Sequence, residues 1–206
     1  MENKTDYEND LASIRNIMER SIKFVSLSGL AGVLSGVIAL MSASFAYKML
    51  YPDGVFYNAS RLAVGSDIRI KLILLGVATL IVSIAIGFYM SSRKAKKLGV
   101  SLWNSTSKRL VINLAIPLGT GGAFVLALMW HGFVGHVAPA CLIFYGLALV
   151  NASQNLYDEI RYLGYCELAL GILAAFIIGY GLVFWGIGFG VLHIIYGVLM
   201  YRKYDA

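Results

Sequence analysis

Residues 72–97 have the sequence LILLGVATLIVSIAIGFYMSSRKAKK, and this stretch decides the class of fold. No charged residue occurs from 72 to 91, a length close to the roughly 20 residues that a helix needs to cross the hydrocarbon core of a bilayer. Four basic residues follow at once: Arg93, Lys94, Lys96 and Lys97. Cations at the end of an apolar run meet anionic lipid headgroups and mark the cytoplasmic side of the membrane. The stretch therefore predicts a transmembrane helix that ends in a cytoplasmic, headgroup-binding basic cluster.

Five other apolar runs share this character. Hydrophobic residues make up 59% of the 206-residue chain and charged residues only 14%, well below the roughly 25% of an ordinary soluble domain. Only helices fit these runs, because lipid offers no partner to free backbone groups and the alternation of a barrel strand is missing. The sequence predicts an all-α polytopic membrane protein with six transmembrane helices, over residues 24–47, 72–91, 110–130, 138–155, 164–181 and 183–201.

The predicted organisation is a six-helix transmembrane domain at 24–201 between two cytoplasmic segments. In segment 1–23, apolar residues recur every three or four positions from Leu11, which predicts an amphipathic helix in the membrane interface. Segment 202–206 is a short polar tail.

Orientation follows from the connection at 92–109, which carries six basic residues and no acidic one and is therefore expected in the cytoplasm. An even number of spans then places both termini on that side. Three spans per half also give the halves opposite orientation, as in an inverted repeat. Counting alone produces the same division, and the halves share no residue-by-residue similarity, so both interpretations stay open.

Small residues form rows in two of the predicted spans. Gly32 and Gly36 lie one turn apart in the first span, and Gly186 and Gly190 repeat this spacing in the last. Such rows let two helix backbones approach closely, which predicts helix packing at these four glycines. The partner helix can belong to the same chain or to a second copy, and the spacing does not distinguish the two.

A second feature predicts a break in the third span, at Pro117, Gly119, Gly121 and Gly122. Proline removes one backbone donor and disturbs the carbonyl of the preceding turn, near Asn113. We expect a kink or a local unwinding there, whose freed carbonyl groups either line a cavity or are satisfied by neighbours.

Glu167 is the one acidic residue inside a predicted span. An ionised carboxylate at that depth costs several kcal/mol unless it is paired or reached by water. Four other polar residues are expected near the same depth: Asn113, Asn151, His193 and Tyr196. The sequence predicts that these five side chains form a polar, ion-binding or substrate-binding pocket open to the cytoplasm. The alternative is a glutamate that reaches the interface and a histidine that donates to a backbone carbonyl.

Other functions lack support in the sequence. There is no CxxC or HExxH spacing for a metal, no GxSxG and no multi-histidine pattern, so we expect no metal, no cofactor and no catalytic residue. The net charge of +6 lies mostly beside apolar runs, which indicates anionic lipid as the partner and not nucleic acid.

Three stretches resemble a family of small bacterial inner-membrane proteins: 139–153 (PACLIFYGLALVNAS), the step Leu163-Gly164-x-x-Glu167, and Gly179-Tyr180-Gly181-Leu182 through His193. The resemblance implies a six-span protein of the bacterial inner membrane. It implies no activity and transfers no site residue.

Three functional hypotheses remain at this point. The first is a small oligomeric transporter or channel for an ion or a small polar solute. The second is a non-transporting subunit that docks onto a partner membrane protein through the small-residue rows. The third is a membrane-embedded enzyme that uses Glu167 and His193.

Overall fold

The computed structural model describes part of the chain, namely residues 28–51, 64–99, 101–103, 105–153 and 157–205. All regular secondary structure in these residues is helical, which confirms the prediction of an all-α protein. The predicted interfacial helix in 1–23 lies outside the described residues.

Six long helices account for most of the described residues. They are α1 (Gly29–Leu50), α2 (Ser66–Leu98), α3 (Ser105–Trp130), α4 (Val137–Ala152), α5 (Asp158–Phe176) and α6 (Gly181–Tyr204). A 3-10 turn at Val134–His136 leads into α4. The last helix contains a π-helical segment, Gly186–Leu192, between α-helical stretches at Gly181–Trp185 and His193–Tyr204.

Five of these helices are long and apolar enough to cross a membrane: α1, α2, α3, α4 with its 3-10 turn, and α6. This composition is compatible with an integral membrane protein. The exception is α5, whose 19 residues include Asp158, Glu159, Arg161 and Glu167. It nevertheless runs between the same two ends of the bundle. Its first turn contacts Lys203 at the end of α6, and the turn after it contacts Gly135 at the start of α4.

Close backbone contacts hold α1 against α6. A Cβ atom added to Gly36 would lie 2.7 Å from the carbonyl oxygen of Gly190, and one added to Gly32 would lie 3.1 Å from the Cα of Gly197. Side chains at these positions would therefore force the helices apart. The glycine row of α1 is filled by α6 of the same chain, whereas Gly186 faces only Ala43 at 3.9 Å.

A similar contact joins α4 to α5. A Cβ atom on Gly146 would lie 2.8 Å from the carbonyl oxygen of Gly164, and one on Gly171 would lie 2.9 Å from the backbone nitrogen of Ile143. Glycine thus allows van der Waals packing of two helix backbones at two successive levels, which is how membrane helices associate without a hydrophobic driving force.

The remaining two helices, α2 and α3, are peripheral. α2 packs on α1, where the Ser42 and Thr79 hydroxyl groups hydrogen-bond at 2.6 Å, and α3 packs on α4. Over their described lengths α2 and α3 make no extensive contact with each other. Arg69 of α2 joins them at one end, donating to the carbonyl oxygens of Met129 and Trp130 at 2.8 and 3.0 Å. Between them lies a cavity of about 810 Å³.

At the opposite end of the bundle, Asp205 connects three helices. Its carboxylate accepts hydrogen bonds from the backbone N–H of Gly29 at 2.7 Å and from the Ser28 hydroxyl at 3.2 Å, and it pairs with Lys94 at 2.5 Å. The first N–H groups of a helix have no partner within the helix, so a distant carboxylate caps α1 here.

The Asp205 contact changes one sequence-based assignment. Lys94, expected at the lipid headgroups, is 14% exposed and points at Asp205, while Arg93, Lys96 and Lys97 remain exposed. The reason is that an acidic partner more than a hundred residues away cannot be inferred from a basic cluster.

A second ion pair lies at the same end. Glu159 of α5 accepts hydrogen bonds from Lys203 and Tyr204, and the Tyr204 ring stacks on Tyr157 with centroids 4.0 Å apart. Partial burial raises the pKa of Glu159, but the hydrogen bonds from Lys203, the backbone and Tyr204 outweigh it and hold the pKa below its ordinary value. These contacts tie the start of α5 to the end of α6.

We expect Asp205→Ala to lower the free energy of unfolding by about 1–2 kcal/mol, because α1 loses its cap and Lys94 its partner. Thermal unfolding in detergent measures the change. Lys94→Ala should cost less once Asp205 has been replaced, whereas Lys97→Ala, exposed on the same helix, should have little effect in either background. Equal costs of Lys94→Ala in both backgrounds would contradict the coupling.

Candidate functional site

Glu167 lies at the centre of the bundle, on the face of α5 that packs against α4. Its neighbours on this face are Gly164 and Gly171, which bring the two helix backbones together on either side of it. The Glu167 side chain is 0% exposed. Its carboxyl group reaches α6 at Gly188, where a Cβ atom would overlap Glu167 Oε2. Glycine at 188 therefore makes the space that the carboxyl group occupies.

His193 lies beside this carboxyl group, with its Nδ1 atom 3.5 Å from Glu167 Oε1. The same nitrogen is 3.0 Å from the carbonyl oxygen of Gly188, and Nε2 is 2.8 Å from the Tyr145 hydroxyl. A carbonyl oxygen can only accept, so Nδ1 carries a hydrogen and donates it to Gly188. In a neutral imidazole, Nε2 then accepts from Tyr145.

The π-helical segment of α6 creates this arrangement. Gly188 and His193 are five residues apart, and the histidine side chain supplies a donor to a carbonyl group of the widened turns. Aromatic rings cover the site: the Phe189 centroid is 5.0 Å from Tyr145, 5.0 Å from Trp185 and 5.9 Å from His193. One wall of the site is therefore apolar and the other is peptide backbone.

The Glu167 carboxyl group itself lacks donors. Neither oxygen has a hydrogen-bond partner among the residues that the structure describes, because the nearest N–H, on His193, is directed at Gly188. Burying an ionised carboxylate without a donor costs several kcal/mol. The carboxyl group can avoid this cost by taking up a proton, or by accepting the hydrogen of His193 after a rotation of its ring.

Asn113 and Asn151, expected in the same pocket, instead contact each other near one end of the bundle. Asn151 Nδ2 donates to the backbone carbonyl oxygen of Asn113 at 2.9 Å. That carbonyl is four residues before Pro117, which has no N–H to offer it. Asn151 is nine residues beyond Leu142, the α4 residue next to Glu167, which is about 13 Å along a helix at 1.5 Å per residue. The asparagine pair is therefore separate from the carboxyl site.

Of the two outcomes predicted at Pro117, a local unwinding does not occur, because α3 is helical without interruption over Ser105–Trp130. Asn151 satisfies the freed carbonyl, and Thr120 donates to the carbonyl of Ile116 at 2.9 Å. Gly121 serves packing, since a Cβ atom there would lie 2.6 Å from Phe144 Cγ, whereas Gly119 and Gly122 have open space around them. The irregular turns occur in α6 instead.

Tyr196, the fifth predicted pocket residue, packs against a buried cluster that includes Leu149, Ile160 and Leu163. Of the five predicted residues, the structure thus places only Glu167 and His193 side by side. Sequence analysis missed Tyr145 and Gly188. The sequence does contain a signal for Gly188, the repeated glycines at 186, 188 and 190, but nothing in it indicates which glycine faces Glu167.

Within the described ranges, no group of three or more His, Cys, Asp or Glu side chains is placed to hold a metal ion. The candidate site consists of the Glu167 carboxyl group, the His193 imidazole ring and the Tyr145 hydroxyl group.

Comparison of the chain with protein-family models, with curated proteins and with solved structures finds no match.

The asparagine contact predicts a rescue by Pro117→Ala. Asn151→Leu should destabilise the protein by about 1 kcal/mol, because the Asn113 carbonyl loses its donor. In a Pro117→Ala background the new backbone N–H of residue 117 serves that carbonyl, and the same Asn151→Leu change should cost less than half as much. The free energy of unfolding is measured in mixed micelles for the wild type, the two single variants and the double variant. An equal cost in both backgrounds would show that Asn151 acts in some other way.

Proposed function

We propose that the protein is a small membrane transporter or channel that carries a proton or another small cation, with Glu167 as the binding group. One observation carries this proposal: the Glu167 side chain is fully buried, and its carboxyl oxygens have no donor among the described residues. Burying this carboxyl group costs more free energy than burying an apolar side chain would. The cost is explained if the carboxyl group binds and releases a proton or a cation during a working cycle.

His193 and Tyr145 provide a route from the cavity to this carboxyl group, since both line the cavity and are hydrogen-bonded to each other. In the proposed transfer, the His193 ring turns its Nδ1–H from Gly188 to Glu167 Oε1 and gives up that proton. Nε2 takes the hydroxyl proton of Tyr145, and the Tyr145 oxygen regains a proton from the cavity side. Because the cavity wall is largely apolar and the route passes a hydrogen from one side chain to the next, we favour a proton over a larger polar solute.

The hypothesis of a non-transporting docking subunit has less support. It relied on the glycine rows as a surface for another protein, but Gly32, Gly36 and Gly190 are in contact between α1 and α6. A partner or a second copy would therefore need to bind elsewhere, for example on the exposed apolar face of α2.

For the membrane arrangement we propose six crossings in a bacterial inner membrane, with both termini cytoplasmic. The contacts at the helix ends support it. Ser28, Lys94, Glu159 and Asp205 meet at one end of the bundle, and Arg69 meets the end of α3 at the other. The basic cluster in the last turns of α2 lies at the first of these ends, which the positive-inside rule assigns to the cytoplasm.

The crossing of α5 is the most informative test of this arrangement, because α5 is the one of the six helices whose length and composition do not by themselves indicate a membrane span. Single cysteines at the start of α5 and in the turn that follows it, Asp158→Cys and Tyr180→Cys, are placed in a background of Cys141→Ala and Cys166→Ala. A membrane-impermeant thiol reagent should label position 180 in intact cells and position 158 only after permeabilisation. Labelling of both positions from one side would show that α5 does not cross, and the reverse pattern would overturn the orientation.

The transport proposal predicts that Glu167→Gln loses proton flux while remaining folded. The amide keeps the shape of the side chain but cannot take up or release a proton. Purified protein in liposomes is given a pH gradient, and a pH-sensitive dye inside the vesicles reports the flux. We expect at least a tenfold loss for Glu167→Gln and a smaller loss for Tyr145→Phe, which removes one hydroxyl group of the route.

Asp158→Asn, an exposed change in the first turn of the same helix, is the matched control and should keep wild-type flux. Flux in Glu167→Gln equal to the wild type would show that Glu167 is structural. If neither protons nor sodium or potassium ions pass through the wild-type protein, the transport proposal is wrong.

A further inference from the structure

The π-helical segment of α6 lies directly against the candidate site. It comprises Gly186–Leu192 and has α-helical turns on both sides. π-Helical turns are rare, and they occur frequently at functional sites. Gly188 and Gly190, both buried, belong to this segment. Because glycine adopts many backbone conformations, these turns can change shape more easily than turns built from branched residues.

A side-chain hydrogen bond from His193 helps to close these turns. The His193 backbone N–H donates to the carbonyl oxygen of Gly190, and its Nδ1–H donates to the carbonyl oxygen of Gly188 at 3.0 Å. Gly188 is buried, so water has no ready access to replace the imidazole as a donor. If His193 turned away, a buried acceptor would lose a donor, which favours a rearrangement of the backbone around it.

Glu167 competes with Gly188 for this hydrogen. The Nδ1 atom of His193 is 3.5 Å from Glu167 Oε1, and neither carboxyl oxygen has a donor among the described residues. A hydrogen bond to an ionised carboxylate is roughly twice as strong as one to a neutral carbonyl group, and a proton on the carboxylate removes this advantage. On α4, the titratable group at the same imidazole is Tyr145, which bonds Nε2. The charge of Glu167 therefore decides which acceptor Nδ1–H serves.

The same π-helical turns pack on α1. A Cβ atom on Gly190 would overlap Leu40 Cδ2, and one on Gly36 would lie 2.7 Å from the carbonyl oxygen of Gly190. Gly190 is only two residues from Gly188, which touches the Glu167 carboxyl group. A change in these turns at the carboxyl group therefore reaches the contact with α1 directly.

We propose that the π-helical segment of α6 is a switch that responds to the charge of Glu167. With a proton on Glu167, His193 bonds Gly188 and the turns are closed, as in the structure. When Glu167 gives up its proton, the His193 ring turns to the carboxylate, the Gly188 carbonyl group loses its donor, and the turns open against α1.

This switch rests on the proposed function in one respect, namely that Glu167 gains and loses a proton. It adds a structural consequence to that step. A bound proton can shift a conformational equilibrium only if it changes a contact differently in the two states, and the hydrogen bond of His193 is that contact. The α1–α6 packing then differs between the two halves of a transport cycle.

The test is hydrogen–deuterium exchange of backbone amides in the full-length protein in detergent, at an acidic and at an alkaline pH. Glu167→Gln is measured at each pH as the reference, because the chemical exchange rate itself rises with pH. Relative to this reference, residues 186–193 of the wild type should exchange roughly fivefold faster at alkaline pH, as expected for the loss of one hydrogen bond, and equally at acidic pH. Residues 34–40 of α1 should respond in the same direction.

Two variants of His193 separate the switch from a general loosening of α6. His193→Ala removes the donor, so residues 186–193 should exchange fast at both pH values. His193→Asn places an amide nitrogen with two hydrogens near the position of Nδ1, so Gly188 and Glu167 no longer compete, and the segment should stay protected at both pH values. Asp158→Asn, an exposed change on α5, is the control and should keep the wild-type response.

Equal exchange of the wild type and Glu167→Gln at alkaline pH would overturn the switch, and so would a protected segment in His193→Ala or a wild-type response in His193→Asn. Response of residues 186–193 without residues 34–40 would overturn the coupling to α1. Proton flux in liposomes tests the proposed function separately. Loss of flux in Glu167→Gln with an unresponsive segment would contradict the switch alone, whereas a responsive segment without flux in the wild type would support the switch and contradict transport.

Discussion

The closest approach of helix backbones, at glycine, is the constraint on which the rest of the structure depends. α1 meets α6 through Gly36 and Gly190, and α4 meets α5 through Gly146 and Gly164. In a lipid environment no hydrophobic drive pulls helices together, so dispersion at close range has to supply the association. These two contacts build a four-helix centre to which α2 and α3 are added at the edge.

The same close packing explains how a glutamate can be placed at the centre. Glu167 occupies the space opened by Gly188 in a π-helical segment, where His193 donates to a backbone carbonyl and not to the carboxyl group. A rotation of one imidazole ring separates a state in which the carboxyl group has no donor from a state in which it accepts a hydrogen bond from His193 Nδ1. Two arrangements this close in geometry suit a group that binds and releases a cation, which is the basis of the proposed function.

Helices α2 and α3 lie outside this closely packed centre. They have few contacts with each other, and polar bonds fix their ends, from Arg69 on one side and, for α2, between Lys94 and Asp205 on the other. Helices held at their ends leave a long apolar space between them. Gly76, Gly87 and Gly122 line the cavity beside these two helices and face open space, whereas α1, α4, α5 and α6 meet through glycine contacts.

The sequence by itself determined the all-α class, the apolar helices and the unusual status of Glu167, because hydrophobic run length and the cost of a buried charge are local properties of the chain. It also identified Pro117 and the Asn113 carbonyl as linked, since that link follows from the helix repeat. The tertiary structure decided the rest. Asn151 donates to the Asn113 carbonyl, Asp205 pairs with Lys94, and Tyr145 is hydrogen-bonded to His193. Each of these partners lies on another helix, and helix periodicity fixes which face a residue occupies but not which helix that face will meet.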